Sequence, residues 1–146
     1  MNKNGKPRFS LVNWARTLIR YDLPVLAYAL LIFWLSSQAY LSERRPWVST
    51  FPDWFYHGVE YAILALLLLR ATWSSGRLHN LILASVCSWL ICVVYAASDE
   101  WHQSFVPGRE SDPADLLADA IGAAAALFIM SLYLLKRKKL TPSERV

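Results

Sequence analysis

The chain has 146 residues, enough for one domain, and its 55% hydrophobic and 14% aromatic content exceeds what a soluble domain requires. Its net charge of +4 does not indicate nucleic-acid binding, because the lysines and arginines cluster at the ends of apolar runs rather than along one face. Cys87 and Cys92 would point in different directions on a helix, so no disulfide between them is predicted. The composition indicates an integral membrane protein.

Residues 1–22 form a basic segment that precedes the first long apolar run. Within it, the stretch from Phe9 to Tyr21 would place apolar side chains on one helical face and polar or basic ones on the other. This pattern is typical of an amphipathic helix that lies in the headgroup layer of a membrane. The alternative is a basic tail without fixed structure.

Four apolar stretches then approach the roughly 20 residues that cross a bilayer as a helix. They run from Leu23 to Tyr40, Pro52 to Leu69, Leu78 to Ala97 and Pro113 to Leu135. The first lacks a small-residue cleavage site, so we expect it to be retained. The sequence therefore predicts an all-α membrane protein, with a four-span domain over residues 23–135 and a basic tail over residues 136–146.

The distribution of basic residues predicts the orientation of these spans. Twelve of the 15 lysines and arginines lie before the first span, between the second and third, or after the fourth. Because cytoplasmic loops are enriched in Lys and Arg, both termini should be cytoplasmic. Tryptophans agree with this orientation, since Trp47, Trp54 and Trp101 would form the outer aromatic belt and Trp14 and Trp73 the inner one.

A polar loop from Ser98 to Asp112 would face outward between the third and fourth spans. It contains the reactive residues Asp99, Glu100, His102, Gln103, Arg109, Glu110 and Asp112. Pro107 and Gly108 predict a tight turn that presents Arg109 back toward the acidic residues. Asp112 followed by Pro113 is a favourable start for the fourth helix.

Helical periodicity predicts two polar stripes. Asp112, Asp115, Asp119 and Gly122 share one face of the fourth span, and Asp53, His57, Glu60 and Tyr61 share one face of the second. At about 1.5 Å per residue, Glu60 and Asp119 both lie roughly 10 Å below the start of their helices. Buried charges need partners, so we expect Glu60, Asp119 and His57 to face one another in an outward-facing pocket, with Arg109 and His102 at its mouth.

Simpler explanations remain open for parts of these stripes. Asp112 and Asp115 would also complement the positive end of the fourth helix dipole. Glu60 and Asp119 would also form a structural pair that locks two helices together. Ala118, Gly122 and Ala126 would permit close helix approach in either case.

The compound pattern resembles the VanZ-like family of small membrane proteins, whose namesake is associated with teicoplanin resistance. The residues that carry the resemblance are Asp53, His57, Tyr61, Asp99, Glu100, Gln103, Pro107, Gly108, Arg109, Asp115, Asp119 and Gly122. It covers the chain from about the second span to the end. The family commonly has Asn where this chain has Asp119, so the site is more acidic here. Glu60 and His102 lie outside the family motif.

The resemblance implies a bacterial cytoplasmic membrane protein that acts in the cell envelope. We hypothesise that it binds or modifies a lipid-linked or cell-wall-related substrate; whether it is an enzyme is left open. The candidate catalytic residues are His57, Asp99, Glu100 and Asp119. The candidate binding residues are Arg109, Gln103, His102, Glu60, Asp53, Tyr61 and Asp115.

The expected partners are membrane lipids and a lipid-linked precursor, and no nucleic acid. Two histidines and several carboxylates could hold a metal ion, but no metal or other cofactor is predicted, because no single element carries tight ligand spacing. One alternative is a proton-coupled transporter in which Glu60 and Asp119 relay protons. Another is a structural or regulatory membrane partner without catalysis.

Overall fold

The computed structural model describes residues 11–38, 51–109 and 111–140, and within these ranges the ordered elements are all helical. This confirms the all-α prediction for the described part of the chain. We number the helices α1, Leu11–Ser36; α2, Asp53–Leu69; α3, Leu81–Gln103; and α4, Pro113–Leu140. A five-residue π-helical segment, Arg70–Ser74, continues α2.

Three of these helices are long and apolar enough to cross a membrane, and they correspond to the first, third and fourth predicted spans. They are Leu11–Ser36, Leu81–Gln103 and Pro113–Arg137. Among the described helices, α2 is not long and apolar enough to be counted with these three, although the sequence predicts a span there. The reason is that Asp53, His57 and Glu60 make the first half of α2 polar and so lower its mean hydropathy.

The predicted interfacial helix is not a separate element in the described residues. Leu11–Thr17 continues through a π-helical turn, Leu18–Asp22, directly into Leu23–Ser36. Thr17 and Asp22 both keep right-handed helical backbone angles, so no break separates an interfacial helix from the first span. Arg77, in the loop before α3, donates two hydrogen bonds of 2.6 Å to the Asp22 carboxylate and fastens that loop to α1.

The apolar core lies where α2 meets α3 and α4, while the other helix faces carry exposed apolar side chains. The buried core residues include Ile32 of α1, Tyr61, Leu64, Ala65 and Leu68 of α2, Ala84, Cys92 and Ala96 of α3, and Ala123 and Leu127 of α4. Exposed leucine, isoleucine, phenylalanine and tryptophan side chains cover α1, α3 and α4, as expected for helices that face lipid. Both cysteine thiols are free, which agrees with the sequence prediction.

Two glycines allow α2 and α4 to make the most extensive helix contact in the described structure. Gly122 of α4 lies directly against the backbone of Gly58 in α2, and a Cβ atom on Gly122 would overlap that backbone. Small residues permit such close approach between membrane helices. The sequence indicates Gly122 through the small-residue stripe, whereas Gly58 is not singled out by it.

Replacing Gly122 with Ala should destabilise the protein. The added methyl group meets backbone atoms of Gly58 that cannot rotate away, so the helices must separate, and overpacking of this kind costs about 1–3 kcal/mol. Gly58→Ala is the matched control, because its Cβ would lie 3.4 Å from the Ala118 carbonyl oxygen, near ordinary contact. Thermal unfolding of purified protein in detergent measures both. Equal midpoints of thermal unfolding for the two variants would contradict the close approach of α2 and α4 at Gly122.

Candidate functional site

Polar side chains from the helices converge at one end of the protein, where α1 and α3 end and α2 and α4 begin. We define this polar cluster as His57, Asp99, Glu100, Gln103, Asp115 and Asp119. Four of its members, Asp99, Glu100, Gln103 and Asp119, are buried. Charged residues in such a position require specific partners, and the contacts of each member show what those partners are.

The tight turn between α3 and α4 forms as the sequence predicts, but the loop is shorter than predicted. Because α3 continues to Gln103, the residues Asp99, Glu100, His102 and Gln103 lie on its last turns and not in a loop that begins at Ser98. The Arg109 amide donates to the Val106 carbonyl across 3.1 Å, and Gly108 has a φ of 81°, which a glycine adopts without strain. Asp112 caps α4, since its side chain accepts a 2.8 Å hydrogen bond from the Ala114 amide. Glu110 lies outside the described residues. Together, the turn and the cap start α4 with Asp115 and Asp119 directed toward α2.

His57 lies between two carboxylates of α4. Its Nδ1 atom is 3.3 Å from Asp119 Oδ1, and its Nε2 atom is 3.6 Å from Asp115 Oδ2. Neither His57 Nδ1 nor Asp119 Oδ1 has a hydrogen-bond partner within the described structure, although both atoms are buried. Asp119 is only 2% exposed. The ring and the carboxylate form an ion pair when the imidazole is protonated, although their geometry is not that of a hydrogen bond.

Glu100 is held by the loop that precedes α4. The Ser111 hydroxyl and the Asp112 amide both donate to Glu100 Oε2, each across 3.1 Å. A carboxylate near a helix C-terminus is destabilised by the negative end of the helix dipole. These two hydrogen bonds offset that unfavourable interaction for Glu100. They also fix the loop against the end of α3.

Asp99 is held by α1 and by its own helix. The Ser36 hydroxyl donates to Asp99 Oδ1 across 2.6 Å, and Gln103 Nε2 donates to Asp99 Oδ2 across 3.0 Å. Ser36 is not among the residues that the sequence pattern predicts for the site. The available signal was the pair Ser36 and Ser37 at the end of an otherwise apolar run, since buried hydroxyls need partners.

The side chains of His102 and Arg109 both contact the end of α1, and Arg109 also lies within electrostatic range of Glu60 and Asp115. The His102 ring stacks on Phe33 at 4.4 Å between ring centroids, and its Nε2 atom is 3.0 Å from the Ser37 hydroxyl. It therefore packs against α1 rather than standing over His57. Arg109 forms no ion pair with a described carboxylate; its Nη2 atom donates to the Leu35 carbonyl at the end of α1 across 3.4 Å. A cation is favourable at that helix end, which explains its direction.

The remaining predicted residues differ in how closely they approach the cluster. Tyr61 is fully buried with an unpartnered hydroxyl, and its ring lies 6.3 Å from that of Tyr95. Glu60 is half-buried and within electrostatic range of His57 and Asp119, but it makes no hydrogen bond among the described residues. Asp53 is exposed at the start of α2 and lies within electrostatic range of Asp115. Of the three residues expected to face one another, His57 and Asp119 approach within 3.3 Å, and Glu60 lies within electrostatic range of both.

Long apolar helices with exposed hydrophobic faces and a buried polar cluster define a multi-pass helical membrane protein. The VanZ/LLP1 family model matches residues 23–135, which is most of the chain, and the chain belongs to this family. No curated protein and no solved structure matches it. The family assignment agrees with the resemblance found in the sequence.

The Ser36→Ala substitution should destabilise the protein by about 1–3 kcal/mol, because it leaves a buried Asp99 oxygen without its donor. Ser98→Ala is the control, since the exposed Ser98 hydroxyl bonds only the Tyr95 carbonyl of its own helix. Its effect should stay within about 0.5 kcal/mol. Thermal unfolding in detergent compares the two, and a Ser36→Ala variant as stable as Ser98→Ala would show that the Asp99 contact contributes nothing.

Proposed function

We propose that this protein acts in the bacterial cell envelope, where it binds or modifies a lipid-linked or cell-wall-related substrate at the polar cluster. The observation that carries the proposal is the convergence of buried acidic, amide and imidazole side chains from three helices at one end of an apolar protein. Intramembrane ionisable residues are costly and are typical of functional sites. A purely packing role would not require so many carboxylates together.

The proposed orientation directs this end away from the cytoplasm. The described basic residues lie mostly at the opposite end: Arg16, Arg20, Arg70, Arg77, Lys136 and Arg137. Exposed Trp54 and Trp101 lie at the end with the polar cluster and would form the outer aromatic belt. Trp47, which the sequence assigns to the same belt, lies outside the described residues.

We further propose that α2 crosses the membrane as a fourth helix. Together with the π-helical segment it runs from Asp53 to Ser74, and these 22 residues span about 33 Å at 1.5 Å per residue. Its ionisable His57 faces α4 rather than lipid, which removes the main cost of such a crossing. With an even number of crossings both termini would lie on the same side, and the distribution of basic residues supports the cytoplasmic side.

Two groups are suited to bind and process an anionic substrate. Arg109 keeps a buried, unpartnered Nε atom, and a guanidinium binds phosphate or carboxylate groups through paired donors. His57 lies between two carboxylates and has both ring nitrogens directed at acidic groups, so it is suited to act as a general acid or base. The side chains of His57 and Asp115 are 15% and 20% exposed, so a substrate would approach from their side of the cluster. By family, the phenotype to test is resistance to teicoplanin.

Cysteine labelling tests the proposed orientation. In a Cys87→Ala, Cys92→Ala background, Ser104→Cys places a thiol at an exposed position just beyond α3. An impermeant maleimide added to intact cells should label it. Ser74→Cys, exposed at the other end, is the matched control and should react only after permeabilisation. The reverse labelling pattern would overturn the orientation.

Substitutions at Arg109 and Glu60 test the proposed site. Arg109→Lys keeps the charge but loses the planar fork, and Glu60→Gln removes a charge beside the cluster. We expect both variants to reach the membrane at wild-type levels and to approach the teicoplanin sensitivity of a deletion strain. Arg16→Lys, exposed at the opposite end, makes the same chemical change as Arg109→Lys and should retain wild-type resistance.

The same strains separate the proposal from its alternatives. Full resistance in both site variants, at normal protein levels, would favour a structural or regulatory role. Profiling of lipids and cell-wall precursors in the deletion strain would identify a substrate as a species that accumulates. Movement of protons through liposomes containing the purified protein would favour transport.

A further inference from the structure

Side chains from three different helices bring metal-binding atoms together in the polar cluster. His57 of α2, Glu100 of α3 and Asp119 of α4 each offer one ligand atom, and these atoms all lie within 4.8 Å of one another. We propose that these three residues hold a divalent transition-metal ion, with Asp115 orienting the His57 ring. This inference does not depend on the identity of the substrate or on the resistance phenotype.

The two ring nitrogens of His57 face the groups that a metal-bound histidine requires. Nδ1 points toward Asp119 Oδ1, and Nε2 lies 3.6 Å from the Asp115 carboxylate. A metal-ligating histidine almost always donates its other ring N–H to a carboxylate or carbonyl, which fixes the tautomer and the ring orientation. Asp115 would accept that proton after a small side-chain movement, and the lone pair of Nδ1 would then be directed toward Asp119. Asp115 therefore acts as a positioning residue.

Unpartnered atoms provide independent support. His57 Nδ1 and Asp119 Oδ1 are buried, and neither has a hydrogen-bond partner in the described parts of the chain. Asp119 is 98% buried by area, so the absence of a donor for its oxygen carries a large desolvation cost. A cation between the two atoms would satisfy both at once.

The spacing of these atoms suits a metal ion. Bonds from zinc to nitrogen or oxygen are about 2.0–2.2 Å, so neighbouring ligands in a tetrahedral site lie about 3.4 Å apart. The 3.3 Å between His57 Nδ1 and Asp119 Oδ1 agrees with that value. Glu100 needs only a small side-chain movement to join them, because all three atoms are already within 4.8 Å.

Hydrogen bonds hold the Glu100 carboxylate in place, as outer groups usually hold a carboxylate that binds a metal. Both of its hydrogen bonds, from Ser111 and from the Asp112 amide, are accepted by Oε2. This leaves Oε1 available while the carboxylate is held in place. Ligating carboxylates are themselves usually hydrogen-bonded by outer groups in this way.

The charges around the site favour a cation. The carboxylates of Glu60, Asp99, Glu100, Asp115 and Asp119 surround it, whereas Arg109 and His57 are the described basic groups within electrostatic range. Arg109 is directed to the end of α1 and pairs with none of these carboxylates within the described residues. One imidazole and two carboxylates form a mixed nitrogen and oxygen set, which suits Zn²⁺ or Mn²⁺ better than Ca²⁺ or Cu⁺. Three protein ligands leave a position open for water or substrate.

Metal content of the purified full-length protein tests the proposal. Protein in detergent is stripped with a chelator, equilibrated with ZnCl₂ or with MnCl₂, passed through a desalting column and analysed by elemental mass spectrometry. We expect one ion per wild-type chain. His57→Gln and Asp119→Asn should bind none, and Asp115→Asn should bind with an affinity lowered about 10- to 100-fold, as for loss of an outer-shell carboxylate.

His79→Gln is the matched control, because His79 is an exposed histidine at the opposite end and should leave binding unchanged. Size-exclusion chromatography checks that each variant is folded. If a ligand variant fails to fold, Asp115→Asn still tests the proposal, because it leaves all three ligand residues unchanged. The proposal is overturned if the wild type takes up neither ion, or if His57→Gln binds as the wild type does. In that outcome His57 is a charged imidazolium shared by Asp115 and Asp119. If the ligand variants lose the metal but keep wild-type resistance, the metal site stands and the proposed function fails.

Discussion

The burial of charged groups among apolar helices is the constraint on which the rest of the structure depends. An unpaired charge at the centre of a membrane helix costs about 2.5–3.5 kcal/mol even on lenient insertion scales, and this chain buries several. Glu100 is satisfied by the loop before α4, and Asp99 by Ser36 and Gln103. Those contacts join α3 to α1 and to the start of α4. The hydrogen bonds that stabilise the buried acids are therefore the same ones that connect the helices.

Packing and chemistry are coupled through the glycine contact of α2 and α4. Gly58 follows His57 directly, and Gly122 lies three residues after Asp119, on the same helical face. The backbone contact between the glycines is therefore adjacent to the contact between the imidazole and the carboxylate. A larger residue at Gly122 would separate the helices at the level where His57 meets Asp119. The position of the polar cluster follows from the close approach of two helices, and α2 is held at the centre of the protein by the same approach.

The sequence could predict those parts of the site that depend on periodicity within one helix. It placed Asp115 and Asp119 on one face, His57 on the facing helix, and a turn and a helix cap between Val106 and Pro113. It could not predict which residue of α1 meets α3, because that register depends on how two apolar surfaces pack. Ser36 was therefore missed, and His102 and Arg109 were expected over the pocket although both contact the end of α1. The continuity of the first helix was missed for a related reason, since polar residues before Leu23 do not by themselves interrupt a helix.

The same limit explains why spacing rules indicated no metal. Such rules detect ligands that lie close together on one element, whereas His57, Glu100 and Asp119 come from three helices and are 43 and 19 residues apart in sequence. Only the packing of α2 against α3 and α4 brings them within bonding reach of one ion. That packing leaves two facing buried atoms, His57 Nδ1 and Asp119 Oδ1, without partners, while every other strongly buried carboxylate of the cluster has at least one donor. Asp99 and Glu100 each accept hydrogen bonds from neighbouring side chains or amides, whereas Asp119 Oδ1 accepts none among the described residues. The proposed cation, bound between Asp119 Oδ1 and His57 Nδ1, would be the partner of both atoms.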